Sequence, residues 1–279
     1  MDEFATIFLA LIFETTPFLL AGVLVSVLAG PLVERTLSAA AFRVPVFGLV
    51  AGAGAGIVLP MCDCGSRPLA HRLALAGRRE FALAFLVAAP VINPIVVVTT
   101  WLAFRDPTIL GLRLGITVIM ALLVGLVLSR FAGEVALPAA GHNHRAEGRS
   151  GIPVQVLSEF FELFQFLVLG SALAATIQVF VDQSVLSGAT GIYLAIAGMM
   201  LLAFLLSICS SVDAFVVAGL GASLGLGPIL AFLTFGPLMN LKSMPMYLRL
   251  FTASSVAVLA IIVTQVVFVS AALAELRAW

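Results

Sequence analysis

The residues of this chain best suited to chemistry are its three cysteines, and all three lie inside apolar sequence. Cys62 and Cys64 flank an aspartate in Leu59-Pro60-Met61-Cys62-Asp63-Cys64-Gly65-Ser66-Arg67-Pro68, and Cys209 sits in Ser207-Ile208-Cys209-Ser210-Ser211-Val212-Asp213. Thiolates are soft ligands that favour soft partners such as trivalent arsenic or antimony, cuprous ion or zinc. Cys62, Cys64 and Cys209 are therefore the candidate metal-ligating and substrate-binding set. Three sulfurs without a fourth ligand suit a pyramidal trivalent metalloid, and a water or an aspartate would complete a tetrahedron. The same residues admit a second chemistry, since Cys62 and Cys209 could exchange electrons through a transient disulfide. Three cysteines do not make a disulfide framework.

The charged residues near these thiols come next. Asp63 and Asp213 are the acids placed deepest in apolar sequence, where a charged carboxylate costs a few kcal/mol unless it is paired or hydrated. Either can carry a coupling proton. The structural alternative is pairing, of Asp213 with Lys242, the only lysine in the chain, or of Asp63 with Arg67. Two further motifs share a proline three residues before an asparagine: Ala89-Pro90-Val91-Ile92-Asn93-Pro94 and Gly236-Pro237-Leu238-Met239-Asn240-Leu241-Lys242. The amides of Asn93 and Asn240 can cap exposed backbone groups or face a ligand. Capping is the favoured reading. His142 and His144 lack Cys or acidic neighbours at metal-ligand spacing and read as loop residues, and His71 reads as solvated or in contact with lipid phosphate.

These residues need helices to position them. Hydrophobic residues make up 62% of the 279 and charged residues 10%, and mean hydropathy is +1.20, more apolar surface than one soluble core can hide. Apolar stretches of about 20 residues, each able to cross roughly 30 Å of hydrocarbon, recur along the chain. They predict eight long helical spans at 4–30, 44–60, 80–104, 108–131, 155–181, 190–208, 228–248 and 253–275. Two short segments, 66–78 and 211–224, follow the cysteine motifs as broken or re-entrant helices. The N-terminus lacks a basic n-region, so its apolar run reads as a retained first span. Two prolines and a glycine around Cys62 break the helix there. Broken helices at membrane depth are tolerated where protein or a water-filled cavity satisfies the freed backbone groups.

The chain also matches itself. Cys62 aligns with Cys209, Pro90 with Pro237 and Asn93 with Asn240 at one offset of 147 residues, and Phe18-Leu19 to Gly22 aligns with Phe166-Leu167 to Gly170 at 148. The predicted fold is an all-α polytopic membrane protein of two pseudo-symmetric repeats. Residues 1–133 form the first membrane repeat, 134–152 a polar linker and 153–279 the second repeat. Arginine placement favours inverted over parallel repeats, because Arg35, Arg43, Arg78, Arg79, Arg130, Arg145, Arg149 and Arg249 then share one side. Ala51-Gly52-Ala53-Gly54-Ala55-Gly56 reads as a face for close helix packing.

The chain resembles the predicted permease family that includes the ArsP-type organoarsenical efflux proteins and the YraQ-type permeases. The resemblance rests on Pro60-Met61-Cys62-Asp63-Cys64-Gly65 with Pro68, on Ala88-Ala89-Pro90-Val91-Ile92-Asn93-Pro94, on Cys209-Ser210-Ser211-Val212-Asp213-Ala214-Phe215 and on Gly236-Pro237 with Lys242. It implies a permease and, for ArsP-type members, export of trivalent organoarsenicals with the paired cysteines meeting arsenic, positions that Cys62 and Cys64 occupy. Asp63 stands between the thiols where Cys-Ser-Cys-Gly is commoner, and Arg67 and Arg72 follow. The expectation is a secondary transporter for a soft, thiol-reactive metalloid or metal in the bacterial inner membrane, not an enzyme. Cys62, Cys64, Cys209, Asn93 and Asn240 would meet the substrate, and Asp213, Asp63 and Lys242 would couple protons. The alternative is a transmembrane thiol-disulfide shuttle. An intramembrane aspartyl protease using Asp63 and Asp213 is a weaker third reading. Without a nucleotide-binding loop, no cofactor is called for and coupling falls to an ion gradient or a partner. Expected partners are lipid, a small inorganic or organometalloid substrate and a homodimer or accessory membrane subunit. No basic tract points to nucleic acid.

Overall fold

The computed structural model describes residues 2–37, 45–59, 61–131, 152–180, 191–219 and 224–278. Pro60, Arg43 and most of the predicted linker, with His142, His144, Arg145 and Arg149, lie outside the described residues. Among the described residues the chain is helical and without strands. In order it runs through α1 (Asp2–Leu37), α2 (Pro45–Val58), α3 (Asp63–Leu75), α4 (Arg79–Ile92), α5 (Pro94–Phe104) and α6 (Pro107–Phe131). It continues through α7 (Ile152–Phe180), α8 (Ile192–Leu206), α9 (Asp213–Gly219), α10 (Leu226–Phe235), a 3-10 turn (Leu241–Ser243), α11 (Met244–Leu250) and α12 (Ala253–Ala278).

Among the described residues five stretches are long and apolar enough to cross a membrane: Phe4–Leu28, Arg79–Phe104, Pro107–Arg130, Ile152–Thr176 and Ala253–Arg277. The other three predicted spans are shorter than expected, for identifiable reasons. The segment 44–60 is the 14-residue α2, which stops at Val58 just before Pro60. The segment 190–208 is the 15-residue α8, closed by Ser207 in the left-handed region (φ 52°, ψ 36°), where a residue with a Cβ is strained and the chain must turn away. The segment 228–248 is divided into α10, the 3-10 turn and α11. Pro237 has no amide to give Leu233, and Asn240 leaves the helix for an extended conformation. The two predicted short segments are helices, α3 and α9, each starting within four residues of its cysteine.

Two buried helices form the centre. α4 is buried from Phe81 to Ile92 and packs between α2 and α6, and α10 packs between α8 and α12. The expected small-residue face exists: a Cβ on Gly52 would strike the Phe81 carbonyl and one on Gly56 the Ala89 backbone, whereas Gly54 faces open space. α1 lies against α3 and α7, while α7 also supports the 3-10 turn and α11. Gly22 on α1 and Gly65 on α3 touch backbone to backbone, and Gly170 on α7 sits in the same way on the Lys242 carbonyl. A side chain at either helix would push its break segment away, so these glycines set how near the breaks come to the scaffold. Beside the contacts of α1 with α7 and of α6 with α10 and α12, two smaller ones involve the helices that follow the breaks: α9 packs on α5, and α3 on α11.

Candidate functional site

α3 is polar by sequence yet buried from Asp63 to Ala70, including the charged Asp63 and Arg67. Buried charge inside a membrane protein is costly and marks the place to look for function. Cys62 ends the first break in extended conformation (φ −76°, ψ 177°), and its carbonyl accepts the Ser66 amide at 3.0 Å to open α3. The ligand atoms of Cys62, Asp63 and Cys64 all lie within 4.8 Å of one another, and all three residues are buried. Both thiols are free, as is that of Cys209.

Ser207 turns the chain into the second break, where the Cys209 carbonyl accepts the amides of Val212 (3.0 Å) and Asp213 (3.2 Å) to start α9. Ser211 Oγ donates to Cys209 Sγ at 3.5 Å. The two breaks meet at a small cavity lined by Phe18, Cys62, Asn93, Cys209, Ser210 and Ser211, with room for about one or two waters. Cys62 belongs to both groupings. Cys64 lies with Cys62 and Asp63 rather than on the cavity wall, and Cys209 stands outside their 4.8 Å set.

Both asparagines cap. Asn93 Oδ1 accepts the Val96 amide (2.9 Å) and its Nδ2 donates to the Ala89 carbonyl (3.3 Å). Asn240 Oδ1 accepts the Ser243 amide (3.0 Å) and its Nδ2 donates to the Gly236 carbonyl (3.0 Å). The bonds match position for position: each side chain donates to the carbonyl four residues back and accepts the amide three residues ahead. They differ in a further bond. Asn93 donates to the Met61 carbonyl (3.4 Å), Asn240 to Asp63 Oδ2 (3.3 Å). Of the two, only Asn93 also lines the cavity.

Asp63 is a crossing point between the first break and the segment 240–247. Its Oδ2 accepts from Arg67 Nη2 (3.4 Å), Asn240 Nδ2 (3.3 Å) and Ser243 Oγ (3.1 Å), while Oδ1 is buried with no partner. Arg67 is held from the far side by Tyr247, whose ring centroid lies 4.3 Å from the guanidinium carbon. Lys242 is 1% exposed and its Nζ has no hydrogen-bond acceptor. Its ammonium lies within electrostatic range of Asp63, Cys64, Cys209 and Glu14.

The expected pairing of Asp213 with Lys242 is not what forms. Asp213 Oδ2 and Oδ1 accept from the two terminal nitrogens of Arg113 on α6 at 2.6 and 3.3 Å, and Arg113 Nη1 also donates to Thr100 Oγ1 (2.6 Å). A forked guanidinium satisfies both carboxylate oxygens at once, which a lysine cannot do. The pairing of Asp63 with Arg67 does form. Arg113 is legible in principle, as a cation well inside the apolar run 107–131 where Arg130 stands at its end, but its partner lies 100 residues away. Ser243 and Tyr247 carry no chemical signal in the sequence. His71 is buried, edge-on to Phe251 at 5.8 Å, rather than solvated. Half-buried ion pairs join α7 to its neighbours, Glu159 with Arg72 of α3 and Glu162 with Arg249 of α11.

The arrangement offers a soft-donor cavity wall beside a partly unsatisfied cluster of opposite charges. Comparison with known proteins gives it a context. The profile of the ArsP_1 family, described as "Predicted permease", matches residues 1–276. The "UPF0718 protein YcgR" of Bacillus subtilis (strain 168) is 33% identical over 259 residues, covering 88% of each chain. A Streptococcus mutans protein named "Putative two-component membrane permease complex subunit" is 32% identical over 257 residues, covering 86% of this chain and 84% of that one. No solved structure matches the chain.

Proposed function

The chain belongs to the ArsP_1 family of predicted permeases, a multi-pass membrane transporter, and on that premise we propose that it is a secondary transporter exporting a soft, thiol-reactive metalloid, a trivalent organoarsenical in particular. The observation that carries this reading is the meeting of Cys62 and Cys209, from breaks 147 residues apart, on one cavity wall. Cys62 and Cys209 bind the substrate, one from each break, and Cys64, within 4.8 Å of Cys62, supplies the third sulfur as the cavity closes. Asn93 holds the break open beside the substrate. Asn240 acts from behind, through Asp63. Coupling is assigned to the partly unsatisfied charges around Lys242, of which Asp63 is one, rather than to Asp213, whose oxygens are both committed to Arg113.

In this reading the chain is a duplicated unit with inverted halves in the bacterial inner membrane. The short helices α2, α8 and α10 cross together with the broken segments that continue them, since irregular backbone at membrane depth is stable only where protein or a cavity surrounds it. The name of the Streptococcus mutans relative supports a further part of the proposal, an accessory membrane subunit. Expression in a metalloid-sensitive bacterial strain tests the transport claim. Cell-associated methylarsenite should fall, and Cys62→Ser and Cys209→Ser should each abolish the difference. Unchanged accumulation for every soft ion tried would end the proposal.

One observation favours a second reading. Free thiols at Cys62 and Cys209 line one cavity, the two positions between which a transmembrane thiol-disulfide shuttle would form its transient disulfide. Mass mapping after oxidation separates the two: a Cys62 to Cys209 link that forms and turns over in Cys64→Ser while export is lost excludes the shuttle.

A further inference from the structure

One intramembrane acid is used by neither the cavity nor the caps. Glu14 stands on α1 inside the span Phe4–Leu28, one helical turn before Phe18, which lines the cavity. Its Oε1 is buried and accepts no hydrogen bond. Pro17 denies the neighbouring Phe13 carbonyl its helical amide, and Thr15 and Thr16 hydroxyls turn back to the carbonyls of Leu11 and Ile12 (2.6 Å each) instead of toward the carboxylate. No structural duty for Glu14 is visible. Its counterpart at the 148-residue offset, Glu162, has one, the ion pair with Arg249.

The helices packed on α1 bring several charges near it. Arg72 of α3 is taken by Glu159 of α7 and by the Ser26 carbonyl, Glu162 by Arg249, and Arg67 by Asp63 and Tyr247. Among the described residues one buried cation is left without an acceptor, Lys242; its backbone is seated on Gly170 of α7, the helix that also packs on α1, and its charge is opposite to those of Glu14 and Asp63. Two carboxylates, Glu14 and Asp63, thus compete electrostatically for one ammonium that neither holds by a hydrogen bond. A carboxylate at this depth must be neutralised by a proton or by a cation, and the lysine can serve one acid fully at a time.

We propose that Glu14 is the proton-coupling carboxylate of this transporter, binding one proton when Lys242 turns to Asp63 and releasing it when Lys242 turns back. The role rests on the transport reading above, but the site itself does not. Charge balances at each step: the proton that leaves the Glu14 carboxyl is replaced beside the carboxylate by the lysine ammonium. Deprotonation on one side of the membrane and reprotonation on the other would then move one proton per cycle.

The full chain in lipid vesicles, titrated while the protonated-carboxyl stretch is followed by infrared difference spectroscopy, tests the site without any substrate. The expected result is a titrating band that is absent in Glu14→Gln, returns shifted in frequency in Glu14→Asp, and moves to higher pH by about one unit or more in Lys242→Gln. A band unchanged in Glu14→Gln overturns the assignment to Glu14, and a midpoint unmoved by Lys242→Gln overturns the role of the lysine. The Glu14→Asp variant keeps the test decisive if Glu14→Gln does not fold. Coupling is read in the same vesicles: an imposed pH difference should drive phenylarsonous acid uphill in the wild type and at least about tenfold less in Glu14→Gln. Equal uphill transport by the variant overturns the coupling role. A wild type that moves no arsenical under any gradient counts against the transport reading alone, and the titration still decides the site.

Discussion

Asp63 and Asp213 each open the helix that follows a cysteine break, and each reaches a segment outside its own, yet they are held in opposite ways. Both oxygens of Asp213 accept from Arg113, which Thr100 also engages, so that the carboxylate of α9 is fully held by α6 and α5 and Arg113 Nε alone of this set lacks an acceptor. Asp63 gathers three donors on one oxygen and leaves the other bare, beside a lysine that has no acceptor at all. The first arrangement has a single low-energy state and suits a fixed joint between the segments. The second has unsatisfied groups of both signs and more than one way to pair them, which is what a moving part requires.

The largest effect should come from breaking the first arrangement. Arg113→Ala leaves Asp213 charged and unpaired in the membrane interior, a loss of about 3–5 kcal/mol. It should appear as aggregated protein in size-exclusion chromatography and a collapsed thermal transition in detergent. The double variant Arg113→Met, Asp213→Leu should recover most of that loss, since no lone charge remains. Asp63→Asn should lower stability far less, by about 1–2 kcal/mol, because Arg67 keeps its contact with Tyr247, while export should fall sharply. Equal thermal losses in Asp63→Asn and Asp213→Asn would erase the distinction between joint and moving part.

A smaller effect should separate the asparagines. Removing either cap costs about 1 kcal/mol, but Asn240→Ala also takes a donor from Asp63, so it should exceed Asn93→Ala by a measurable margin in thermal scans. Losses of equal size would mean that the Asn240 bond to Asp63 contributes nothing.

Much of this contrast was legible before any coordinates. Pro60 ahead of Cys62 marks a break whatever the tertiary structure, whereas Gly65 and Pro68, expected to break the helix with it, lie inside α3; the asparagines read correctly as caps because capping is a bond over three or four residues. The packing face around Gly52 and Gly56 was equally local. What escaped were choices made between distant segments. Lys242 seemed the natural partner for Asp213 as the only lysine in the chain, but the packing of α9 on α5 brings Arg113 instead. The unbroken span over 228–248 failed because Pro237 and Asn240 act together: the proline removes a donor, and the asparagine supplies enough replacement bonds for the helix to end outright. Glu14 is masked by the strongly apolar stretch around it, although a lone acid at that depth is itself a signal.

The claim at the centre of this account is that sulfurs from both breaks hold one substrate atom. Arsenic K-edge absorption on the purified full chain loaded with phenylarsonous acid measures that directly. The account predicts a sulfur shell around arsenic that loses one neighbour in Cys62→Ser and one in Cys209→Ser. A shell left unchanged by Cys209→Ser, or arsenic with no sulfur neighbour in the wild type, would contradict it.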